Sequence, residues 1–260
     1  MKNKDLGAFY DRVYRKGEHK HYTKLRLSGN KLASDRAAML EELDWKGKSV
    51  LDVGCGTGET AYHIARRGAR RVLGIDFAPE AIRAARARYQ HPRLVFEMTD
   101  IRDVRERFDV IIMMGTLEHI DDPFLLLQKL KAMLNRGGSL IVSSPNWSNP
   151  RGYMLLTLWF LFRSRITLVD IHYLTPVEFI AWARRLKMKL EWRTVDQSWA
   201  HGEKLIDDFK RRLPNVARDS KLPTTKKRIG EFTQWIEDHI VPLEQDAPHT
   251  GAIGVYHFKK

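Results

Sequence analysis

The stretch "VLDVGCGTGET", residues 50–60, restricts the fold more than any other part of the chain. An apolar run ends in Asp52, Val53 follows, and three glycines then stand at alternate positions, Gly54, Gly56 and Gly58, directly before a helical pattern. A backbone this bare between a strand and a helix lets a ligand approach the main chain, and the helix N-terminus supplies N–H groups with no partner inside the helix. The spacing departs from the dinucleotide fingerprint G-x-G-x-x-G, because the third glycine falls one residue early and Glu59 takes its place. An acid at that point repels a pyrophosphate but not a ligand that carries positive charge. No Gly-Lys-Ser/Thr follows, so the loop is not a Walker A loop. Taken alone, the glycines also suit a tight strand-to-helix turn that binds nothing.

Around this loop, strand and helix patterns alternate. "SVLDVG", "RVLGID", "LVFEM", "FDVIIMM" and "SLIVSS" read as strands, and "MKLEWRTV" and "GAIGVYHF" as two more. "ETAYHIARRG" reads as a helix stopped by Gly68, and "PEAIRAARARY" as one opened by Pro79. "DPFLLLQKLKAMLN" reads as a helix capped by Asp122, with Pro123 in its first turn and "RGG" at its end. In "TPVEFIAWARRL", Thr175 and Glu178 form a capping box. Strands separated by helices predict an α/β fold with a mostly parallel sheet covered on both faces. The 260 residues suffice for one such domain with additions, and 43% apolar content supports a core.

Three acids close consecutive strands at their C-terminal ends, where open α/β sheets bind ligands. Asp52 precedes the first glycine, Asp76 ends the second strand in "GIDFAPEA", and Asp100 follows the third in "EMTDI". Asp76 is placed to accept both ribose hydroxyls of a nucleoside, and Asp100 to read an adenine amino group. Any one of them alone also suits a helix cap or a solvated turn.

With "VLDVGCGTG", "GIDFAPEAI", "TDI" and "FDVIIMMGTLEHIDDP" in order, the chain resembles the class I S-adenosylmethionine-dependent methyltransferases over roughly residues 45–195. The resemblance implies a Rossmann-like sheet of seven strands with the last antiparallel. It implies that the Gly54–Gly58 turn passes under the methionine part of S-adenosylmethionine, that Asp76 binds the ribose with Phe77 on the adenine, that Asp100 and Ile101 frame the base, and that Met114 lines the sulfonium region. The cofactor carries a cationic sulfur and no phosphate, which makes Glu59 tolerable. On this basis the chain divides into an N-terminal helical cap segment, 1–44, a cofactor-binding core, 45–195, a helical insertion or lid, 196–250, and a last strand, 251–260.

A cofactor that brings an activated methyl group leaves the protein to position the acceptor and, for an alcohol or phenol, to supply a base. His119 and His172 are the expected bases, with Glu118 beside the first. Tyr10, His19, His21 and Tyr22 lie in the N-terminal segment, which closes over the cofactor in many members of the family. "LEHI" is similar to the Glu-x-x-Glu-His pattern that can hold a divalent metal in ubiquinone-pathway and small-RNA methyltransferases, but Gly115 replaces the first glutamate. Two ligands remain, short of a usual site, so no metal is expected.

Two segments bear on the acceptor. "YMLLTLWFLF", 153–162, stands between Arg151 and the pair Arg163 and Arg165, and is too short to span a bilayer, which takes about 20 residues. It reads either as a buried or dimer-contact helix or as an apolar acceptor wall touching an anionic membrane surface, with the arginines near headgroups. Some fifty residues, 197–249, then separate the last two strands, with "EKLIDDFKRRL" and "KKRIGEFTQWIEDHI" as amphipathic helices of a substrate lid or oligomer arm. The formal charge of +13 suits an anionic partner. One cysteine, Cys55, excludes an internal disulfide and suits a reducing compartment, and "MKNKDLGAFYDRVYRKG" has no secretory apolar core. The expectation is a cytoplasmic methyltransferase, peripheral to the membrane in the lipid-contact reading, acting on an oxygen of a small or lipid-like acceptor. RNA is the rival acceptor, and an inactive cofactor-binding partner subunit the rival class.

Overall fold

The computed structural model describes residues 33–167, 169–243 and 247–260. Tyr10, His19, His21, Tyr22 and most of the expected cap segment lie outside the described residues. The chain runs α1 (Ser34–Glu41), β1 (Ser49–Val53), α2 (Glu59–Arg66), β2 (Arg71–Asp76), α3 (Pro79–Arg88), β3 (Leu94–Met98), β4 (Phe108–Met114), a 3₁₀ turn (Leu117–His119), α4 (Pro123–Ala132) and β5 (Leu134–Pro145). It continues through α5 (Pro150–Phe162), α6 (Pro176–Leu186), β6 (Lys189–Val195), the short α7 (Gln197–Ala200), α8 (Glu203–Asp219), α9 (Lys226–His239) and β7 (Ile253–Lys259).

The strands form one seven-stranded sheet in the order β3-β2-β1-β4-β5-β7-β6. β7 runs antiparallel to both β5 and β6, and the remaining pairs are parallel. Every residue of β1 is buried, as expected of a central strand covered on both faces. Its side chains alternate between two cores. Val50 joins Met39, Ile64, Ile82 and Ala85 of α1, α2 and α3 on one face. Leu51 and Val53 join Leu127 and Leu130 of α4 and Phe179 and Leu186 of α6 on the other. The chain winds outward from β1 to β3, then returns to β4 on β1's other side, so the order reverses between β1 and β4. Parallel sheets bind ligands at the C-terminal ends of the strands at such a reversal.

Helix signals act as the sequence predicts. The Asp122 carboxylate accepts from the Leu125 N–H at 2.9 Å, and Thr175 and Glu178 complete the capping box, each cap being worth about 0.5–2 kcal/mol. Two boundaries differ. The helix read to Asn135 ends at Ala132, and β5 begins at Leu134 rather than Ser139. Gly137 takes positive φ within that strand and the register against β4 shifts between Phe108 and Val110, so "RGG" bends a strand instead of stopping a helix. In the insertion, α8 runs through Pro214 to Asp219, although proline removes a hydrogen bond of the helix interior. Val216 and Ala217 beyond the proline are buried, and their packing holds the last turns, which lie beyond the helix read from "EKLIDDFKRRL".

The insertion is docked on α5. Leu205, Ile206 and Phe209 of α8 and Ile236 of α9 share a third core with Trp147, Leu155 and Ile166. The loop before α5 ties down the return to β7: Asn146 Nδ2 donates to the carbonyls of His249 at 2.8 Å and Gly251 at 2.7 Å, and Asn149 Oδ1 caps the Gly152 N–H at 2.8 Å.

Candidate cofactor and methyl-transfer site

The glycine loop turns back onto β2. The N–H groups of Gly54 and Cys55 both donate to the Ile75 carbonyl at 2.9 Å, and Gly56 N–H donates to Asp76 Oδ2 at 2.9 Å. Side chains are excluded here by space as well as by φ. A Cβ on Gly54, at φ 71°, would lie 2.5 Å from Thr116 Oγ1, and one on Gly58, at φ 81°, would lie 2.4 Å from the Phe96 ring. The first contact joins the loop after β1 to the loop after β4, which is the crevice of the strand-order reversal.

Asp76 closes β2 with its carboxylate divided between the two loops: Oδ2 takes Gly56 N–H and Oδ1 takes Ala78 N–H at 2.9 Å. Both oxygens are thus held at the end of β2, facing the crevice between the two loops. Phe77 beside it is 43% exposed. Ile101 is half-buried at the edge of the core. Asp100 is more engaged than the sequence suggests. Arg102 grips it from Nε at 3.0 Å and Nη2 at 2.8 Å and holds it below the usual carboxylate range, so an adenine amino group would share that carboxylate.

Asp52 is 2% exposed and its Oδ2 has no hydrogen-bond partner. Burial raises its carboxyl to about 7, Asp76 adds to the rise, and Arg36 opposes it. A buried orphan acid of this kind is stabilised by a cation placed beside it. Arg36, on α1, is a residue sequence reasoning missed. It pairs with Glu59 at 2.8 Å and donates to Thr60 Oγ1 at 3.0 Å, and Thr60 in turn donates to Met114 Sδ at 3.3 Å. Arg36 carries no motif; only the fold brings α1 over α2.

The donor set fits S-adenosylmethionine. Asp52 would offer a carboxylate to the α-ammonium and sulfonium charges, Asp76 would accept from the ribose, and Phe77 and Ile101 would give apolar surface to the adenine, while Arg36, paired with Glu59, stands beside the α-carboxylate end. Met114 is the last residue of β4 and reaches the cleft through Thr60.

Beyond β4, the 3₁₀ turn carries Glu118 and His119, both buried. His119 Nδ1 lies 3.3 Å from the Val169 carbonyl and 3.5 Å from Asp170 Oδ1, two acceptors that fix the proton on Nδ1 and leave the lone pair on Nε2. Nε2 faces Glu118 Oε1 at 3.9 Å. Burial lowers the imidazole to about 4, while burial and Asp170 raise Glu118 to about 8, and burial raises Asp170 to about 6. At pH 7 the imidazole is therefore neutral, Glu118 protonated and Asp170 mostly ionised. His172 is turned elsewhere: its Nε2 donates to the Ile120 carbonyl at 2.8 Å, which pins the 170 loop to the 3₁₀ turn.

Asp170 corrects the ligand count made from sequence. Donor atoms of Glu118, His119 and Asp170 lie within 4.8 Å of one another, so the chain offers three metal-ligand side chains where the motif alone gives two. The correction for Arg151 is larger. Expected near headgroups, it is turned inward, 13% exposed, with Nε on Asp208 Oδ2 at 3.1 Å.

A seven-stranded sheet of this order, a glycine loop at the strand reversal and an acid closing β2 define a class I methyltransferase fold. Residues 21–191 match the family model described as a methyltransferase domain, and the chain belongs to that family of S-adenosylmethionine-dependent methyltransferases. The ubiquinone biosynthesis O-methyltransferase of Xanthomonas oryzae pv. oryzae is 31% identical over 159 residues, covering 57% of this chain and 66% of the relative, just short of two thirds of its length. A Thermotoga maritima methyltransferase, described as a possible histamine N-methyltransferase, superposes with a TM-score of 0.61 at 15% identity over 96% of this chain and 98% of its own. A Haloferax volcanii methyltransferase, solved in complex with the activator Trm112, gives 0.62 at 16% identity over 96% of each. These two structures share the fold.

Proposed function

We propose that the chain transfers a methyl group from S-adenosylmethionine to an oxygen of a small or lipid-like acceptor. The observation that carries this reading is the His119–Asp170 pair at 3.5 Å, beside the strand ends that form the cofactor crevice. The cofactor supplies an activated methyl on a sulfonium, so the protein has to align the acceptor, exclude water and take up its proton. His119 Nε2 accepts the hydroxyl proton as the oxygen attacks, and Asp170 stabilises the imidazolium that results. Glu118, protonated at neutral pH, adds no second negative charge. His172 holds the loop that carries Asp170. The resemblance to enzymes named as ubiquinone biosynthesis O-methyltransferases supports an oxygen acceptor. Methyl-labelled cofactor incubated with separate pools of neutral lipid, phospholipid, RNA and protein tests the reading. Label in a lipid-extractable, base-stable methyl ether is expected. Label confined to RNA or protein overturns the acceptor class, and no transfer to any pool points to an inactive subunit.

A second observation favours contact with a membrane surface. The outer face of α5 exposes Tyr153, Phe160, Leu161 and Phe162 at 59, 62, 70 and 55%, with Arg163 and Arg165 at its C-terminal end. No helix among the described residues is long and apolar enough to cross a membrane, so such contact is interfacial. The double variant Phe160→Asp, Leu161→Asp should lose flotation with anionic vesicles. A change in oligomeric state without a change in flotation would assign the face to a second copy instead.

A further inference from the structure

We propose that Arg151 is the anchor for a negatively charged group on the acceptor, a carboxylate or a phosphate, and that α8 completes the anchor with Arg211 and Arg212. The proposal rests on the methyltransferase reading and adds the charge of the acceptor to it.

Three guanidiniums converge on one carboxylate. Asp208 of α8, 1% exposed, accepts from Arg151 Nε at 3.1 Å, from Arg211 Nη2 at 3.0 Å and from Arg212 Nε and Nη2 at 2.9 Å each. A single arginine would satisfy Asp208. Three bring more positive charge than Asp208 neutralises, and the outermost guanidinium, Arg211, faces solvent, where an anion can join the cluster. With Asp170 included, which Arg151 and Arg212 both influence, the local count is three positive and two negative, net +1. The cations are graded from the interior outward: the side chains of Arg151, Arg212 and Arg211 are 13, 21 and 48% exposed.

The outer donors of Arg151 lack acceptors. Among the described residues neither Nη of Arg151 makes a hydrogen bond or ion pair, and neither is sealed from solvent as a buried orphan. The Arg151 guanidinium lies 5.4 Å from the centroid of the Trp147 ring, and Trp147 Nε1, in a side chain 2% exposed, has no partner. Arg212 Nη1 donates to the Ile166 carbonyl at 2.7 Å and so ties α8 to the segment after α5. A planar guanidinium whose two Nη groups have no acceptor among the described residues matches the geometry of a carboxylate or phosphate. Position supports the role, because Arg151 and Arg212 act electrostatically on Asp170, the residue in contact with His119.

The test is calorimetric titration with benzoate, phenyl phosphate and the neutral control phenol, on protein saturated with S-adenosylhomocysteine and on cofactor-free protein. At least one anion should bind about tenfold or more tightly than phenol, the scale of a hydrogen bond to a charged group, and the better of the two identifies the group as carboxylate or phosphate. Arg151→Met should abolish the preference and Arg151→Lys restore part of it, with S-adenosylhomocysteine affinity unchanged. Should Arg151→Met fail to fold, the more exposed Arg211→Met should still weaken the anions several-fold without affecting phenol. Equal binding of anions and phenol by the parent, or a preference that survives both substitutions, overturns the proposal. If S-adenosylhomocysteine does not bind, the methyltransferase reading falls, and the cofactor-free titration still decides whether the anion site exists.

Discussion

Asp170 Oδ1 lies 3.5 Å from His119 Nδ1, across a turn of backbone that the sequence gives no reason to pair with "LEHI". The Val169 carbonyl, 3.3 Å from Nδ1, sets the tautomer of the imidazole, and Asp170 is placed to counter the charge of its protonated form. His119→Ala should therefore lower single-turnover methyl transfer by about 10²–10⁴-fold, the range for a general base, with cofactor affinity unchanged. Asp170→Asn should lose rate and keep the fold. The pH dependence has a defined sign. Asp170 titrates at about 6 and is protonated below that, so the counter-charge is lost and the rate falls as pH drops through about 6. In Asp170→Asn that inflection should be absent. Rates measured from pH 5 to 9 at saturating cofactor check both points, and an unaltered profile in the variant would remove Asp170 from the mechanism.

Asp52 predicts a pH-dependent cofactor affinity. Its carboxyl is raised to about 7 in the free protein, and only the ionised form attracts a cation. Affinity for S-adenosylmethionine should weaken about tenfold between pH 8 and pH 6, following the fraction ionised. The same shift carries a stability statement. A carboxyl raised above its unfolded value favours folding while protonated, and that contribution is lost as pH rises through about 7. Asp52→Asn should stabilise the free protein at pH 8, where the parent carries a buried charge, and not at pH 5, while abolishing the pH dependence of binding. Thermal melts at pH 5 and pH 8 separate the two effects.

Gly58 should not tolerate a side chain. Its φ of 81° and the 2.4 Å approach of a Cβ to the Phe96 ring act together. Gly58→Ala should destabilise by about 1–3 kcal/mol through strain and overpacking, read as a lower urea midpoint at unchanged slope. Gly58→Ala combined with Phe96→Leu should recover part of the loss, because the smaller side chain removes the ring clash but neither the 3.0 Å approach to Ala85 Cβ nor the strained φ.

Most of the sheet and the cofactor crevice was legible because it is encoded locally. Asp52, the glycines and Asp76 stand within short sequence distance, and period, caps and glycines mark their elements. The methyl-transfer side was legible only in part. "LEHI" marks His119 but not Asp170, whose position depends on how the segment after α5 folds back. Arg151 has the sequence context of a headgroup contact, and its inward turn depends on Asp208, which arrives with an insertion more than fifty residues on. Pro214 signals a helix end, yet buried Val216 and Ala217 outweigh it. In each of these cases a long-range contact overrides a local signal, and one sequence does not display such contacts.

The central claim is that the chain holds S-adenosylmethionine between the glycine loop and Asp76. Isothermal titration of the cofactor into the parent and into Asp76→Ala tests it most directly. Asp76→Ala removes the two acceptors for the ribose and should weaken binding by roughly 1.5–3 kcal/mol, the range for hydrogen bonds to a charged group, with an unchanged circular-dichroism spectrum. An equal dissociation constant in parent and variant, or no binding by the parent, would contradict the account.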